Sequence, residues 1–177
     1  MIIRRETDTD LPDIRTVTAA AFRGAEHSAP PVTEGGDPGE VTLIDWLRAD
    51  PQWIPELSIV AVADERIVGH IVASGAAIGD TPAVGIGPVS VLPELQGTGI
   101  GSALMNYCLG AADALGIPAA ALLGDPHYYS RFGFVPAASM GISAPDPEWG
   151  DFFQARALST YAGQQGPFRY ADPFNRL

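Results

Sequence analysis

The sequence has 177 residues, an ordinary length for one domain and long enough to bury a hydrophobic core. Its 10 basic residues are all arginines and face 21 acidic ones, which gives a net charge of −11 and argues against nucleic acid as a partner, because no basic stripe could neutralise phosphates. This charge would also be repelled by an anionic membrane surface, whereas it suits a cationic amine.

The first fifty residues predict one strand and two helices. Residues 2–7 form a strand pattern with no signal-peptide segment before it, and no apolar run approaches the ~20 residues of a membrane span. We therefore expect a cytoplasmic protein. Apolar residues recur at helical spacing from Leu11 to Phe22. After an irregular stretch at 23–39, a second helix is predicted over 40–49.

A hairpin and a third long strand are predicted next. Residues 57–62 and 67–73 form two apolar strands, and Asp64 and Glu65 form the tight turn between them. The following strand, 83–91, contains Pro88, which cannot donate a ladder hydrogen bond. A bulge or a local parting of strands is therefore expected near Pro88.

The rest of the chain predicts a helix and several short strands. A strand over 119–123 is expected to run parallel to its neighbour, another strand is predicted over 133–137, and the aromatic-rich tail predicts one or two more. The helix before them should end at Leu115 and bury Ile100, Leu104, Cys108, Ala111 and Leu115. The only cysteine, Cys108, is expected to be a small buried apolar residue rather than a reactive thiol.

The segment between the strand and this helix has glycine at every second position. Gly97, Gly99 and Gly101 allow the backbone to approach a ligand closely, and the helix start directs free N–H groups and the positive dipole end at the same place. This arrangement suits an anion, above all a phosphate. A P-loop is excluded because the chain has no lysine, and the G-x-G-x-G spacing does not fit the dinucleotide fingerprint.

Two segments resemble a known family. The pattern Gln-x-x-Gly-x-Gly (Gln96, Gly99, Gly101), entered from Val-Ser-Val-Leu-Pro-Glu, resembles the acyl-CoA pyrophosphate loop of the GNAT superfamily of N-acetyltransferases. The segment 124–134 resembles the short helix and Gly-Phe strand that close the GNAT fold. The resemblance covers roughly residues 2–135 and, within the superfamily, points to the bacterial YhbS-like branch.

The resemblance implies a fold of the α/β (α+β) class. We expect one N-acetyltransferase domain over residues 1–177, with an acyl-CoA-binding core at about 83–136 and a C-terminal strand segment at 138–177. The implied architecture is a mixed central sheet with helices on both faces. In GNAT proteins this sheet splays between its fourth and fifth strands, and the pantetheine arm lies in the opening.

The resemblance also implies the residues that hold acetyl-CoA, the cosubstrate. Backbone groups of Val89, Ser90 and Val91 would pair with pantetheine like an added strand, and the Val91 amide would stabilise the developing oxyanion. Gln96 would touch the ligand or order the loop. The pyrophosphate would be bound by the loop amides of Gly97, Thr98, Gly99, Ile100, Gly101 and Ser102. No metal site is predicted.

The general acid is assigned by resemblance to Tyr129. Family tyrosines stand four residues before the glycine of Gly-Phe, and Tyr129 has that relation to Gly133. A phenol near the sulfur can protonate the departing thiolate. The alternative is a core tyrosine packed beside Phe132 and Phe134, with Tyr128 as a further candidate for the acid.

The sequence does not identify the general base. Many GNAT enzymes place a glutamate on the strand before the loop, but residues 83–91 contain no carboxylate. The candidates for the base, besides a water relay, are His70, Glu26, His27, Asp125 and His127.

Arg131 could contact the 3′-phosphate of the cosubstrate, or it could be a solvated arginine.

The expected function is acetyl transfer from acetyl-CoA to a primary amine of an unidentified small molecule or peptide, by direct attack in a ternary complex. The alternative is a non-catalytic acyl-CoA-binding sensor or interaction module of the same fold. We expect no nucleic acid or membrane partner. The aromatic C-terminal segment permits a homodimer of the kind common among relatives.

Overall fold

The N-terminal half of the chain builds an antiparallel sheet around two long central strands. The computed structural model describes residues 1–177. The strands are β1 (Ile2–Arg5), β2 (Ser58–Ala63), β3 (Arg66–Ile78), β4 (Thr81–Val91), β5 (Ala119–Leu123), β6 (Val135–Pro136), β7 (Ile142–Ser143), β8 (Phe153–Ala157) and β9 (Gly166–Arg169). Their order in the sheet is β1-β2-β3-β4-β5-β8-β6, with β9 pairing to both β3 and β7.

The predicted hairpin between β2 and β3 is confirmed. Asp64 and Glu65 form its turn with positive φ angles of 48° and 60°, as a two-residue hairpin turn requires. The second strand is longer than predicted and continues to Ile78, where it also pairs with β9. That extension carries Gly75 and two alanines, which gave no clear strand signal in the sequence.

The bulge predicted near Pro88 is present between β3 and β4. Ile71 pairs with Val89 and Ala73 pairs with Ile86, so Gly87 and Pro88 together oppose a single residue of β3. Such an extra residue bends the strand and ends regular pairing on one side.

The sheet opens between β4 and β5, as the resemblance implied. The two strands are parallel and pair only where Val84 meets Ala120 and Gly85 meets Ala121. The rest of β4, from Ile86 to Val91, has no partner in β5. Its free side therefore faces a gap between the fourth and fifth strands.

Helices cover both faces of the sheet. They are α1 (Leu11–Phe22), α2 (Gly39–Arg48), α3 (Ile100–Ala114) and the short α4 (Pro126–Tyr129). On one face the Thr18 hydroxyl of α1 lies 3.0 Å from that of Ser90. On the other face α3 packs against Gly69, where an added Cβ would lie 3.0 Å from a methyl group of Leu104. None of the helices is both long and apolar enough to cross a membrane.

One part of the predicted buried face of α3 is wrong. Ile100, Leu104 and Cys108 are buried as expected, together with Met105 and Leu109, whereas Ala111 is only half-buried. Leu115, however, is 49% exposed. The helix ends at Ala114, and Gly116 turns the chain with a φ of 74°, so Leu115 falls outside the apolar stripe.

The C-terminal segment also differs from the prediction. The strand expected over 133–137 is only Val135–Pro136, because Gly133 has a φ of 81° and ends a helical turn instead of starting a strand. The tail forms three short strands rather than one or two. The longest, β8, inserts between β5 and β6, and its Phe153 packs against Phe168 at a centroid distance of 5.3 Å.

Candidate functional site: a groove and an adjoining aromatic cavity

The glycine loop before α3 takes a conformation that other residues would adopt only with strain. Gly97 and Gly99 have φ angles of 77° and 96°. A Cβ added at either position would meet no atom within 4 Å, so open space lies beside this backbone. The glycines are therefore required by the backbone angle, and they leave room for a ligand to approach closely.

The start of α3 presents free backbone donors to that space. The first helical hydrogen bond runs from the Ala103 amide to the Gly99 carbonyl at 3.0 Å. The amides of Ile100, Gly101 and Ser102 consequently have no acceptor within the helix, and Gly99 at the N-cap has no side chain to cap them. Together with the positive end of the helix dipole, they form a site suited to an anion.

Two side chains stabilise the loop from within. The Gln96 side-chain amide donates a hydrogen bond of 3.2 Å to the Val91 carbonyl, and the Thr98 hydroxyl donates one of 2.6 Å to the Leu95 carbonyl. Of the two roles considered for Gln96, ordering the loop is therefore the one visible in its contacts.

The backbone of β4 directs polar groups into the gap. The Leu92 amide donates to the Val68 carbonyl at 3.0 Å. Because hydrogen-bonded and non-hydrogen-bonded pairs alternate along an antiparallel ladder, Ser90 also exchanges hydrogen bonds with β3, while Val89 and Val91 do not. The N–H and C=O groups of Val89 and Val91 therefore point away from β3, toward the opening.

These elements enclose a groove of about 430 Å³. Arg131 is the only charged residue that lines it, and its guanidinium lies 4.7 Å from the centroid of the Tyr128 ring. We call this space the loop groove; it is lined by Val89, Val91, Leu95, Gln96, Gly97, Gly99, Gly101, Ser102, Tyr128, Tyr129 and Arg131.

Three of the predicted cofactor-binding residues do not line the loop groove. The Ser90 side chain is buried on the opposite face of the sheet against Thr18. The Thr98 hydroxyl donates to the Leu95 carbonyl within the loop, and the Ile100 side chain is buried in the core. Of these three, only Ile100 has a free backbone amide to contribute, because the Ser90 backbone pairs with β3 and the Thr98 amide donates to the Leu95 carbonyl at 3.4 Å. For all of these residues the assignment as ligand contacts stays a prediction.

Tyr129 lies where the loop groove meets a second cavity. Its ring packs near Phe134, with centroids 6.1 Å apart, so one side of it does contribute to the core. Its hydroxyl makes no hydrogen bond within the chain, and burial raises its pKa to about 12, assisted by neighbouring Tyr128 and Asp125. The phenol therefore stays protonated at neutral pH and is free to donate.

Tyr128 points to a different part of the groove. Its ring meets that of Tyr129 edge-on at 4.9 Å. Its hydroxyl reaches toward the helix start, because a Cβ built on Gly101 would lie 3.0 Å from it. Tyr128 thus lies beside the anion-binding end of the groove, and Tyr129 at its junction with the second cavity.

The second cavity occupies about 680 Å³ on the other side of this junction. Val89 and Tyr129 line both spaces. We call it the aromatic cavity because five aromatic side chains line it: Phe22, Tyr129, Trp149, Tyr170 and Phe174. No motif in the sequence singled out Trp149, Tyr170 or Phe174 individually, although the density of aromatic residues in the tail was a usable signal.

His70 is too deeply buried to reach either space. It is 0% exposed and shares a 2.9 Å hydrogen bond between its Nε2 and the Ser58 hydroxyl, which in turn donates to Glu6 at 2.5 Å. Burial lowers the pKa of His70 to about 3, with a further contribution from the positive charge of Arg48. It is therefore a neutral structural histidine in the core.

Among the other base candidates, only His27 lines the aromatic cavity. Glu26, Asp125 and His127 are exposed and line neither space. The Asp125 carboxylate caps α4 by accepting the His127 amide at 2.9 Å.

Glu40 was missed by sequence reasoning and lies beside His27. It lines the aromatic cavity and is only 7% exposed. Its carboxylate accepts the Ala29 amide at 2.6 Å and the Ser28 hydroxyl at 3.0 Å. Glu40 therefore fixes the loop that carries His27. A helix-start glutamate with no motif around it gave no signal for this role.

Cys108 is buried, and its thiol lacks the properties of a nucleophile. Burial raises the pKa of its thiol to about 12, so almost no thiolate is present at neutral pH. The expectation of an inert core cysteine is confirmed.

Several known proteins are similar to this chain in sequence. Residues 55–136 match the acetyltransferase (GNAT) domain family. The uncharacterized N-acetyltransferase YhbS of Escherichia coli is 31% identical over the whole length of both chains. A second uncharacterized N-acetyltransferase of that organism, YjhQ, is 33% identical over 78% of this chain and 72% of its own length.

Two solved structures share the fold over nearly the whole chain. A GNAT family acetyltransferase from Brucella melitensis, solved with acetyl-CoA, is 34% identical with a TM-score of 0.74 and covers 98% of this chain and 97% of its own. E. coli YhbS, solved with CoA, is 29% identical with a TM-score of 0.80, covering 99% of this chain and 92% of its own. The resemblance drawn from the two sequence segments is thereby confirmed.

Proposed function

Because this chain belongs to the GNAT family of N-acetyltransferases, we propose that it transfers the acetyl group of acetyl-CoA to a primary amine of a small molecule or peptide, by direct attack in a ternary complex. The observation that carries this proposal is the continuity of the two spaces. The loop groove offers donors for an anionic, amide-bearing ligand, and it meets the aromatic cavity at Val89 and Tyr129.

The anion-binding end of the loop groove suits the pyrophosphate of acetyl-CoA. The free amides of Ile100, Gly101 and Ser102 supply hydrogen bonds and a partial positive charge. Arg131 adds a cation to a wall that has no carboxylate. In a chain with a net charge of −11, this local reversal of sign supports an anionic ligand here.

The β4 end of the groove suits the pantetheine arm and the thioester. Val89 and Val91 direct backbone groups into the opening, where an extended amide-bearing ligand can pair with them as a strand would. The Val91 amide is then available to stabilise negative charge on the acetyl oxygen as it develops.

The transfer itself needs an acid and a base. A bond forms between the amine nitrogen and the acetyl carbonyl carbon, and the carbon–sulfur bond breaks with its electron pair going to sulfur. Tyr129 donates its proton to that sulfur, because it holds a protonated, unpaired hydroxyl at the junction. His27 accepts the proton that the nitrogen loses, directly or through water, and Glu40 holds the His27 loop in place.

A non-catalytic acyl-CoA-binding module is the second candidate. The observation that favours it is the lack of a carboxylate on β4, where many enzymes of the family place their base. The free hydroxyl of Tyr129 at the junction favours the enzyme.

Release of free CoA distinguishes the two candidates. Acetyl-CoA is incubated with the protein and a panel of primary amines, and the released thiol is followed with a chromogenic disulfide; a sample without acetyl-CoA serves as the blank for the buried Cys108. The enzyme predicts amine-dependent release matched by an equal amount of acetylated amine in the mass spectrum. Tight binding of acetyl-CoA without turnover of any amine would establish the binding module instead.

A further inference from the structure

The aromatic cavity carries information about the acceptor. Its volume of about 680 Å³ is in the usual range for small-molecule sites, and 11 of its 18 lining residues are hydrophobic. It opens where β4 bends away from β5, next to Tyr129, so an amine bound there would face the acetyl group at the junction.

The walls of the cavity are a packed set of aromatic rings. The Tyr170 ring lies so close to β4 that a Cβ on Gly85 would come within 2.4 Å of it. Tyr170 packs against Phe174 at a centroid distance of 4.7 Å, with the two rings tilted by 39°, and meets Trp149 edge-on at 6.4 Å. Such rings favour an apolar body, above all an aromatic one that can make the same offset or edge-to-face contacts.

The charges around the cavity are negative. Glu40 and Asp146 line it, His27 is the only lining side chain that can become cationic, and no arginine is present. Glu40 is 7% exposed and its carboxylate is held by the loop, and the Asp146 carboxylate accepts a hydrogen bond of 2.9 Å from the Glu148 amide. A carboxylate on the acceptor would meet two fixed negative charges, whereas an ammonium group would be attracted.

We propose that the acceptor is an arylalkylamine, a primary amine on an aromatic body without a carboxylate, and that it binds in the aromatic cavity. This inference rests on the proposed function. The rings hold the aromatic body, the carboxylates of Glu40 and Asp146 attract the ammonium group, and the same carboxylates exclude free amino acids.

The test compares amines with amino acids that differ only in the carboxylate. The probes are 2-phenylethylamine against phenylalanine and tryptamine against tryptophan, with ethanolamine as a polar amine, each measured with the wild-type protein and acetyl-CoA. We expect kcat/KM for each arylalkylamine to exceed that of its amino acid by roughly 100-fold, and to exceed that of ethanolamine by at least about tenfold. Equal values within either pair, or a preference for ethanolamine, would overturn the inference.

Two variants tie the preference to this cavity. Trp149→Ala should raise KM for tryptamine at least about tenfold and leave KM for acetyl-CoA unchanged, whereas Trp46→Ala, which removes a half-buried tryptophan outside the cavity, should change neither. Asp146→Asn keeps the capping hydrogen bond and removes the charge, so it should narrow the discrimination between phenylethylamine and phenylalanine. Unchanged discrimination in Asp146→Asn, or equal effects of the two tryptophan variants, would contradict the proposal.

The outcomes separate this inference from the proposed function. Turnover of amino acids or ethanolamine without turnover of arylalkylamines would overturn the acceptor class and leave acetyl transfer intact. Absence of turnover with every amine would overturn both.

Discussion

The ring of Tyr129 lies directly over the backbone of Gly124: a Cβ atom at position 124 would come within 2.3 Å of Cε2 of the ring. The backbone of Gly124 cannot retreat, because its amide donates to the Phe152 carbonyl at 2.9 Å and its carbonyl accepts from the Gln154 side chain at 2.9 Å. The position of the phenol at the junction of the two spaces therefore depends on the missing side chain.

Gly124→Ala should displace Tyr129 and slow acetyl transfer. Since the added methyl group overlaps the ring, we expect kcat to fall at least about tenfold, a loss typical of a misplaced general acid, with little change in acetyl-CoA affinity. Steady-state kinetics together with calorimetry would measure both. Gly110→Ala is the matched control, because Gly110 lies on the exposed side of α3 with no atom near its Cβ position. A Gly124→Ala protein with wild-type kcat would show that the ring position does not matter.

Tyr129→Phe tests the proposed acid directly. Removal of the hydroxyl should lower kcat by roughly 100-fold, the usual contribution of general acid catalysis, while the dissociation constant of acetyl-CoA stays within about twofold. Tyr128→Phe removes a hydroxyl from the neighbouring ring and should reduce kcat far less. If Tyr128→Phe were the slower variant, the acid would be Tyr128 and the assignment to Tyr129 would be wrong.

His70 should make the stability of the fold depend on pH. Its pKa is about 3 in the folded protein against an ordinary 6.5, so the unfolded chain binds one more proton as pH falls from 6.5 toward 3. The contribution of His70 to the free energy of unfolding is therefore complete above pH 6.5. Below pH 6.5 the free energy of unfolding decreases by up to about 1.4 kcal/mol per pH unit. Urea unfolding at pH 7, 6, 5 and 4 would measure this slope.

Two variants separate the titration of His70 from that of Asp10. His70→Gln should flatten the dependence between pH 6.5 and 4. Asp10→Asn should lower stability by a similar amount at pH 7, 6 and 5 and leave the slope there unchanged. The Arg4 guanidinium and the Thr7 hydrogen bonds hold the pKa of Asp10 at about 2, below its ordinary 3.8, so the stability that this carboxylate contributes is lost only as pH falls from 3.8 toward 2. An unchanged slope in His70→Gln would mean that another group causes the acid sensitivity.

Several features of the fold were predictable because their causes are local. The turn at Asp64 and Glu65, the bulge at Pro88 and the glycine loop before α3 each follow from the conformational limits of a few adjacent residues. Together with the resemblance that they support, these signals predicted the part of the site that would bind acetyl-CoA. The end of α3 shows the limit, since a helix that stops one residue early exposed Leu115.

The aromatic cavity was not predictable for the opposite reason. Phe22, Trp149 and Phe174 are distant in the sequence and meet only because β8 inserts between β5 and β6 and the tail folds back over β4. No local sequence pattern encodes how these distant segments meet. In addition, a strand was predicted to begin at Gly133, whereas Gly133 ends a helical turn. The elimination of His70 as a base likewise needed its burial, which its place in an apolar strand only suggested.

Binding of acetyl-CoA to glycine variants at the two ends of α3 tests whether the loop groove holds the cosubstrate. Gly99 and Gly116 flank opposite ends of this helix, both have positive φ, and neither has an atom near its Cβ position, so valine strains both backbones alike. Only Gly99 lines the loop groove. Titration calorimetry should show wild-type affinity for acetyl-CoA in Gly116→Val and no measurable binding in Gly99→Val. Wild-type affinity in Gly99→Val would show that acetyl-CoA does not bind against the glycine loop.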